Sequence, residues 1–73
     1  MAVEVRAHIT GTVWKIQVQP GDEVAEEDTL VILESMKMEV PVEAPEAGTV
    51  EHIEVQEGDA VEEGDVLLTL AET

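Results

Sequence analysis

Lys37 is one of only two lysines in a 73-residue chain, and it is flanked on both sides by methionine, in the run Glu34-Ser35-Met36-Lys37-Met38-Glu39. An amine can be acylated, or it can act as a nucleophile itself. A self-activating lysine needs burial or neighbouring cations to shed its proton. Its charged neighbours here are the carboxylates Glu34 and Glu39. In water only about one lysine in a thousand is neutral near pH 7.4. The chemistry that fits is therefore acylation by an outside enzyme, which supplies both the deprotonation and the activated acyl donor. Met36 and Met38 could fill a core gap, but residues bracketing a tight turn cannot both follow the inward face. They are expected to be partly exposed and to serve recognition, as are Glu34, Ser35 and Glu39.

The other chemistry-bearing residues form no site. His8 and His52 lie far apart with no Cys beside them, which argues against a metal centre. Asp22, Asp28, Asp59 and Asp65 lack the spacing of a calcium loop and suit turn chemistry. With no Cys, two His and no evident nucleophile–base pair, no catalytic residue is expected.

The elements that must position Lys37 follow from an internal repeat. Residues 3–33 align with 40–70 at a constant offset of 37, and sixteen of the thirty-one pairs are identical, from Val3/Val40 and Gly11/Gly48 through Gly21/Gly58 and Asp22/Asp59 to Leu33/Leu70. Only residues 34–39 fall outside the pairing. Two copies of one unit joined by a lysine-bearing turn read as a scaffold that holds the lysine out. The termini are then the symmetry counterpart of that turn and belong at the opposite end.

Val3, Val5 and Ala7 alternate with Glu4 and Arg6, the period-two signature of a half-buried strand. A second strand opens at Gly11, with Trp14, Ile16 and Val18 expected on one face. Gln19-Pro20-Gly21-Asp22 reads as a type II turn, Pro at the second position and Gly at the third. A short piece at Val24 and a strand over 30–33 complete the first copy. The second copy predicts strands near 40–43, 49–55, 61 and 66–70, with turns at Gly58 and Gly64. No window holds a helical period. The expected fold is all-β: a flattened barrel or sandwich of two four-stranded antiparallel sheets related by a pseudo-twofold axis, a barrel-sandwich hybrid, formed as a single domain over 1–73. Trp14 pairs with Glu51 in the repeat, so its position tolerates solvent.

Composition limits partners and location. Three basic against 18 acidic residues leave a formal charge of −15. That excludes nucleic acid, whose phosphates need clustered Lys and Arg, and disfavours anionic membranes. It favours basic partner surfaces. No run approaches the roughly 20 apolar residues of a membrane span, no leader opens the chain, and Cys is absent, so a cytoplasmic protein is expected. With Val (12), Leu (5) and Ile (4) as the larger apolar types, and neither Phe nor Tyr, the core must be thin. A core of this size supplies about 3–5 kcal/mol of net stability.

The doubled methionine around Lys37, inside this repeat, resembles the biotinyl domains of the biotinyl/lipoyl attachment family, most of all its short free-standing members. The resemblance covers essentially the whole chain. The family motif reads Ala-Met-Lys-Met or close to it, with Ser35 here in place of the Ala. It implies biotin joined covalently to the Lys37 ε-nitrogen by a separate biotin protein ligase, and a carrier role between a biotin carboxylase and a carboxyltransferase. Lipoyl members usually carry Asp before the lysine, which Met36 replaces. There is no room for the inserted thumb with which some members cover the cofactor. In related lipoyl domains the loop after the first strand lies near the lysine, which points to His8 through Gly11 as a partner contact. The rival readings are a lipoyl carrier and an unmodified β-sandwich interaction module.

Overall fold

The computed structural model describes residues 2–72. They form eight strands: β1 (Ala2–Arg6), β2 (Gly11–Ile16), β3 (Glu23–Val24), β4 (Thr29–Ser35), β5 (Met38–Glu43), β6 (Gly48–Ile53), β7 (Ala60–Val61) and β8 (Val66–Glu72). One antiparallel sheet has the order β5-β4-β2-β7 and is called here the lysine sheet; the opposite sheet has the order β1-β8-β6-β3. Adding 37 to β2, β3 and β4 reproduces the bounds of β6, β7 and β8. The same shift converts one sheet order into the other, so the repeat is a pseudo-twofold exchange of sheets.

The halves interlock. Each sheet takes two strands from each half, and each half's turns bond the other half's backbone. Gly21 N–H donates to Val50 C=O at 2.8 Å, and its sister Gly58 donates to Val13 C=O at 2.7 Å. Between the sheets lies a core of fourteen buried residues, all Val, Leu or Ala, with no buried polar or charged residue among those described. Burying each Leu contributes about 1.5–3 kcal/mol.

Four bulges, in symmetric pairs, break the strict alternation. Two residues of one strand then oppose one of its partner. Thr29 pairs with Glu43 and Val31 with Val42, which leaves Leu30 as the extra residue; Leu67 is its sister, between Leu68 and Val66. That is why the neighbours Leu30 and Val31 are both buried, as are Leu67 and Leu68. Trp14 and Glu51 are the extra residues of β2 and β6. This corrects the expected face: Trp14 does not share one with Ile16 and Val18. Val13 and Ile16 turn inward, while Trp14 and Lys15 both face solvent.

Four turns share one closure. Gly21, Gly58 and Gly64 adopt φ of 96°, 98° and 95°, and Glu27 occupies the place of Gly64's sister at φ 74°. In each turn the Asp side chain accepts from the backbone N–H three residues earlier: Asp22 from Gln19, Asp28 from Ala25, Asp59 from Gln56 and Asp65 from Glu62, at 2.8–2.9 Å. The expected type II turn at Gln19–Asp22 is present, with Asp22 N–H bonding Gln19 C=O at 3.0 Å. The chain is elongated, 35 × 17 × 17 Å.

Candidate functional site: the lysine hairpin

β4 and β5 are longer than the 30–33 and 40–43 expected. They pair outward from Leu33↔Val40 through Glu34↔Glu39 to Ser35↔Met38, so only Met36 and Lys37 remain as loop. Both have positive φ, 52° and 64°. Two successive left-handed residues make a type I′ hairpin turn, whose twist matches the flanking strands. Asn-Gly is the usual occupant. A side chain in this conformation costs roughly 1–2 kcal/mol per residue, so the tip is strained to place Met36 and Lys37 where it does. A glycine would relieve the strain but has no amine to acylate.

Lys37 is exposed, and among the described residues it joins no ion pair. Met36 is 92% exposed and Met38 65%, so neither is a core filler. Glu34 and Glu39 are exposed and directly opposite one another. Like charges so placed are destabilising. The six residues expected from the sequence, Glu34 to Glu39, thus gather at one hairpin end.

The hairpin base is held by a glycine. A Cβ on Gly11 would lie 2.6 Å from the Glu34 carbonyl oxygen, so β2 packs against β4 where only hydrogen fits. This places the loop over residues 7–10, with His8 exposed, beside the hairpin base. Gly11 was missed as a site-positioning residue; the signal for it was a Gly retained in both halves without turn residues around it. The residues of β1 and β8 that are sister to the hairpin, Ala2 and Ala71, pair at the far end of the long axis.

Two open grooves run along the described residues, one bounded by Val18, Asp28 and Ile32, the other between Glu4–Arg6 and Pro41–Glu43. Neither is lined by Met36, Lys37 or Met38. What the site can do is present one amine at the end of a rigid body.

Fold and site together define a scaffold that displays one lysine at the tip of a hairpin. The family described as biotin-requiring enzyme matches residues 1–70, and the chain belongs to this biotin/lipoyl attachment family. It is 57% identical over 42 residues to the biotinylated protein TB7.3 homolog of Mycolicibacterium smegmatis, a match covering 58% of this chain and 59% of that one. It is 44% identical over 38 residues to the biotin/lipoyl attachment protein of Bacillus subtilis, covering 52% of each. The matches thus span a little over half the length of these relatives. Among solved structures, a single-chain, multi-domain long-chain acyl-CoA carboxylase superposes with a TM-score of 0.93 at 33% identity, over 99% of this chain and 7% of that one. The Kluyveromyces lactis urea carboxylase gives 0.92 at 35%, over 97% and 6%.

Proposed function

We propose that this chain is a biotin carboxyl carrier, with biotin in amide linkage to the Lys37 ε-nitrogen. A biotin protein ligase forms that amide: the amine attacks the acyl carbon of activated biotin, and the activating group leaves. A biotin carboxylase then carboxylates the biotin, and a carboxyltransferase passes the carboxyl group to an acceptor. The chain performs none of these steps. It supplies covalent delivery, which replaces diffusional encounter by an effective concentration in roughly the millimolar range.

The observation that carries this reading is the strained, exposed Met36–Lys37 tip on a family scaffold. Methionine on both sides of the lysine weighs against a lipoyl carrier. The likeness to two carboxylases supports partners of the carboxylase kind.

The test is the intact mass of the chain after co-expression with a biotin ligase. A gain of one biotin less one water, lost in Lys37→Arg, is expected. No gain, or a lipoyl-sized gain with a lipoate ligase, overturns the reading.

A further inference from the structure

The internal duplication supplies its own control. Residues 37 apart occupy equivalent places on the two outer faces, so a feature needed only by the fold should recur on both. Across the outside of the lysine sheet, Lys15, Ile32 and Pro41 lie side by side on β2, β4 and β5, with Trp14 bulged out next to Lys15. The equivalent row outside the opposite sheet is His52, Thr69 and Glu4, with Glu51 at the bulge. Trp14, Ile32 and Pro41 thus face Glu51, Thr69 and Glu4 as their sisters. The inward pairs Val13/Val50, Leu30/Leu67 and Leu33/Leu70 are unchanged.

The remaining exposed apolar groups agree. The large hydrophobic residues left exposed among those described are Trp14, Met36 and Met38, all on the lysine sheet or its hairpin. The opposite outer face carries Val66 and the small Ala2 and Ala71 but no aromatic or Met side chain, so the large exposed apolar groups are gathered on one face and serve no core. We infer that the outer face of the lysine sheet, centred on Trp14, Ile32 and Pro41, is the surface gripped by the biotin protein ligase. This rests on the carrier reading above.

Area and charge select this occupant. A specific protein interface engages roughly 20–30 residues per side, which the three tip residues cannot supply. The bare Lys37 side chain must enter the ligase's active site, so the contact has to spread from the tip onto an adjoining face. The first row beyond the tip is Glu34/Glu39, and Ile32/Pro41 follows two residues, about 7 Å, further on. The apolar strip therefore meets a carboxylate pair on the side toward Lys37. A second copy of this chain, also at −15, is repelled. The complementary surface is an apolar patch bordered by Lys or Arg.

The experiment measures initial rates of biotinylation of the unmodified chain by a bacterial biotin protein ligase, with ATP and biotin saturating. Trp14→Glu and Ile32→Thr place on the lysine sheet the residues that the opposite sheet already carries. Each is expected to raise KM roughly tenfold, the loss of one interface anchor, with kcat within twofold. Glu51→Gln on the other face should match the unsubstituted chain. If the unsubstituted chain takes no biotin, the carrier reading and this inference fall together. If it is biotinylated and Trp14→Glu keeps its KM, or Glu51→Gln loses as much, only this inference is overturned. Should the substituted chains not fold, 5-fluorotryptophan gives a second readout, since Trp14 is the only tryptophan. Its single fluorine resonance should shift or broaden when ligase is added; an unmoved resonance refutes the contact.

Discussion

Gly11 and Glu34 meet backbone to backbone: a Cβ on the first would lie 2.6 Å from the carbonyl oxygen of the second. Gly48 meets Ala71 in the same way, also at 2.6 Å, at the other end of the molecule. The closest approaches match, while the flanking side chain is Ser35 at one and Leu70 at the other, and Gly48 is buried where Gly11 is half-buried. One supports the lysine hairpin, the other the far end.

Gly11→Ala and Gly48→Ala should therefore destabilise alike and act differently. Forcing a methyl against backbone costs roughly 1–3 kcal/mol. In a domain of this size that lowers Tm by at least about 4 °C. Only Gly11→Ala displaces Glu34 and the tip, so only it should slow biotinylation at a temperature where both variants remain folded. Thermal melts and biotinylation rates on the same samples check this.

The hairpin tip should show a conflict between stability and use. Replacing Met36 by Asn together with Lys37 by Gly installs the residues that a type I′ turn prefers. Chemical denaturation should show a gain of about 1 kcal/mol or more, with attachment abolished. Lys37→Arg should abolish attachment without the gain.

Glu27, at φ 74°, holds the place that Gly64 holds in the second half. Glu27→Gly should raise the free energy of unfolding by about 1 kcal/mol, read from chemical denaturation, from the removal of a left-handed side chain. A loss of stability would show that Glu27 gains more from its neighbours than its backbone costs.

The turn-closing carboxylates should behave as matched pairs. Asp22→Ala and Asp59→Ala each remove one hydrogen bond to a backbone N–H, worth about 1 kcal/mol. Equal losses are expected from the symmetry. Asn at either position keeps an acceptor and should retain most of the stability in the same denaturation assay.

Salt should stabilise the fold. Raising ionic strength from 0.01 to 1 M shortens the screening length from about 30 Å to about 3 Å. The molecule is 17 Å across, so repulsion within its −15 charge passes from unscreened to largely screened. A Tm that rises with sodium chloride is expected; a flat one would mean the acidic residues are already far enough apart.

The repeat made the architecture legible, because residues 37 apart must occupy equivalent places and β2, β3 and β4 recur as β6, β7 and β8. The turns were legible through Gly21, Gly58 and Gly64, where chemistry and conformation coincide. What period-two reading missed was the bulges. Leu30 with Val31 gives two inward residues in succession and Trp14 with Lys15 two outward ones, so Trp14 was assigned to the face of Ile16. Hairpin length was missed as well. Glu34, Ser35, Met38 and Glu39 carry no strand signature, and their pairing is imposed by the rungs already formed below them. Lys37 and its neighbours were legible as a group because they interrupt the repeat. The left-handed backbone of Met36 and Lys37 was not, since neither residue type favours it.

β8 lies between β1 and β6, and the pairing of Ala2 with Ala71 joins the first described strand to the last. On the ribosome, β1 therefore waits without a partner until Glu72 has emerged. The hairpin around Lys37 is synthesised midway, yet the body behind it cannot close before then. A chain released short of β8 therefore leaves the body behind the Lys37 hairpin open, with β1 and β6 both lacking the strand that lies between them.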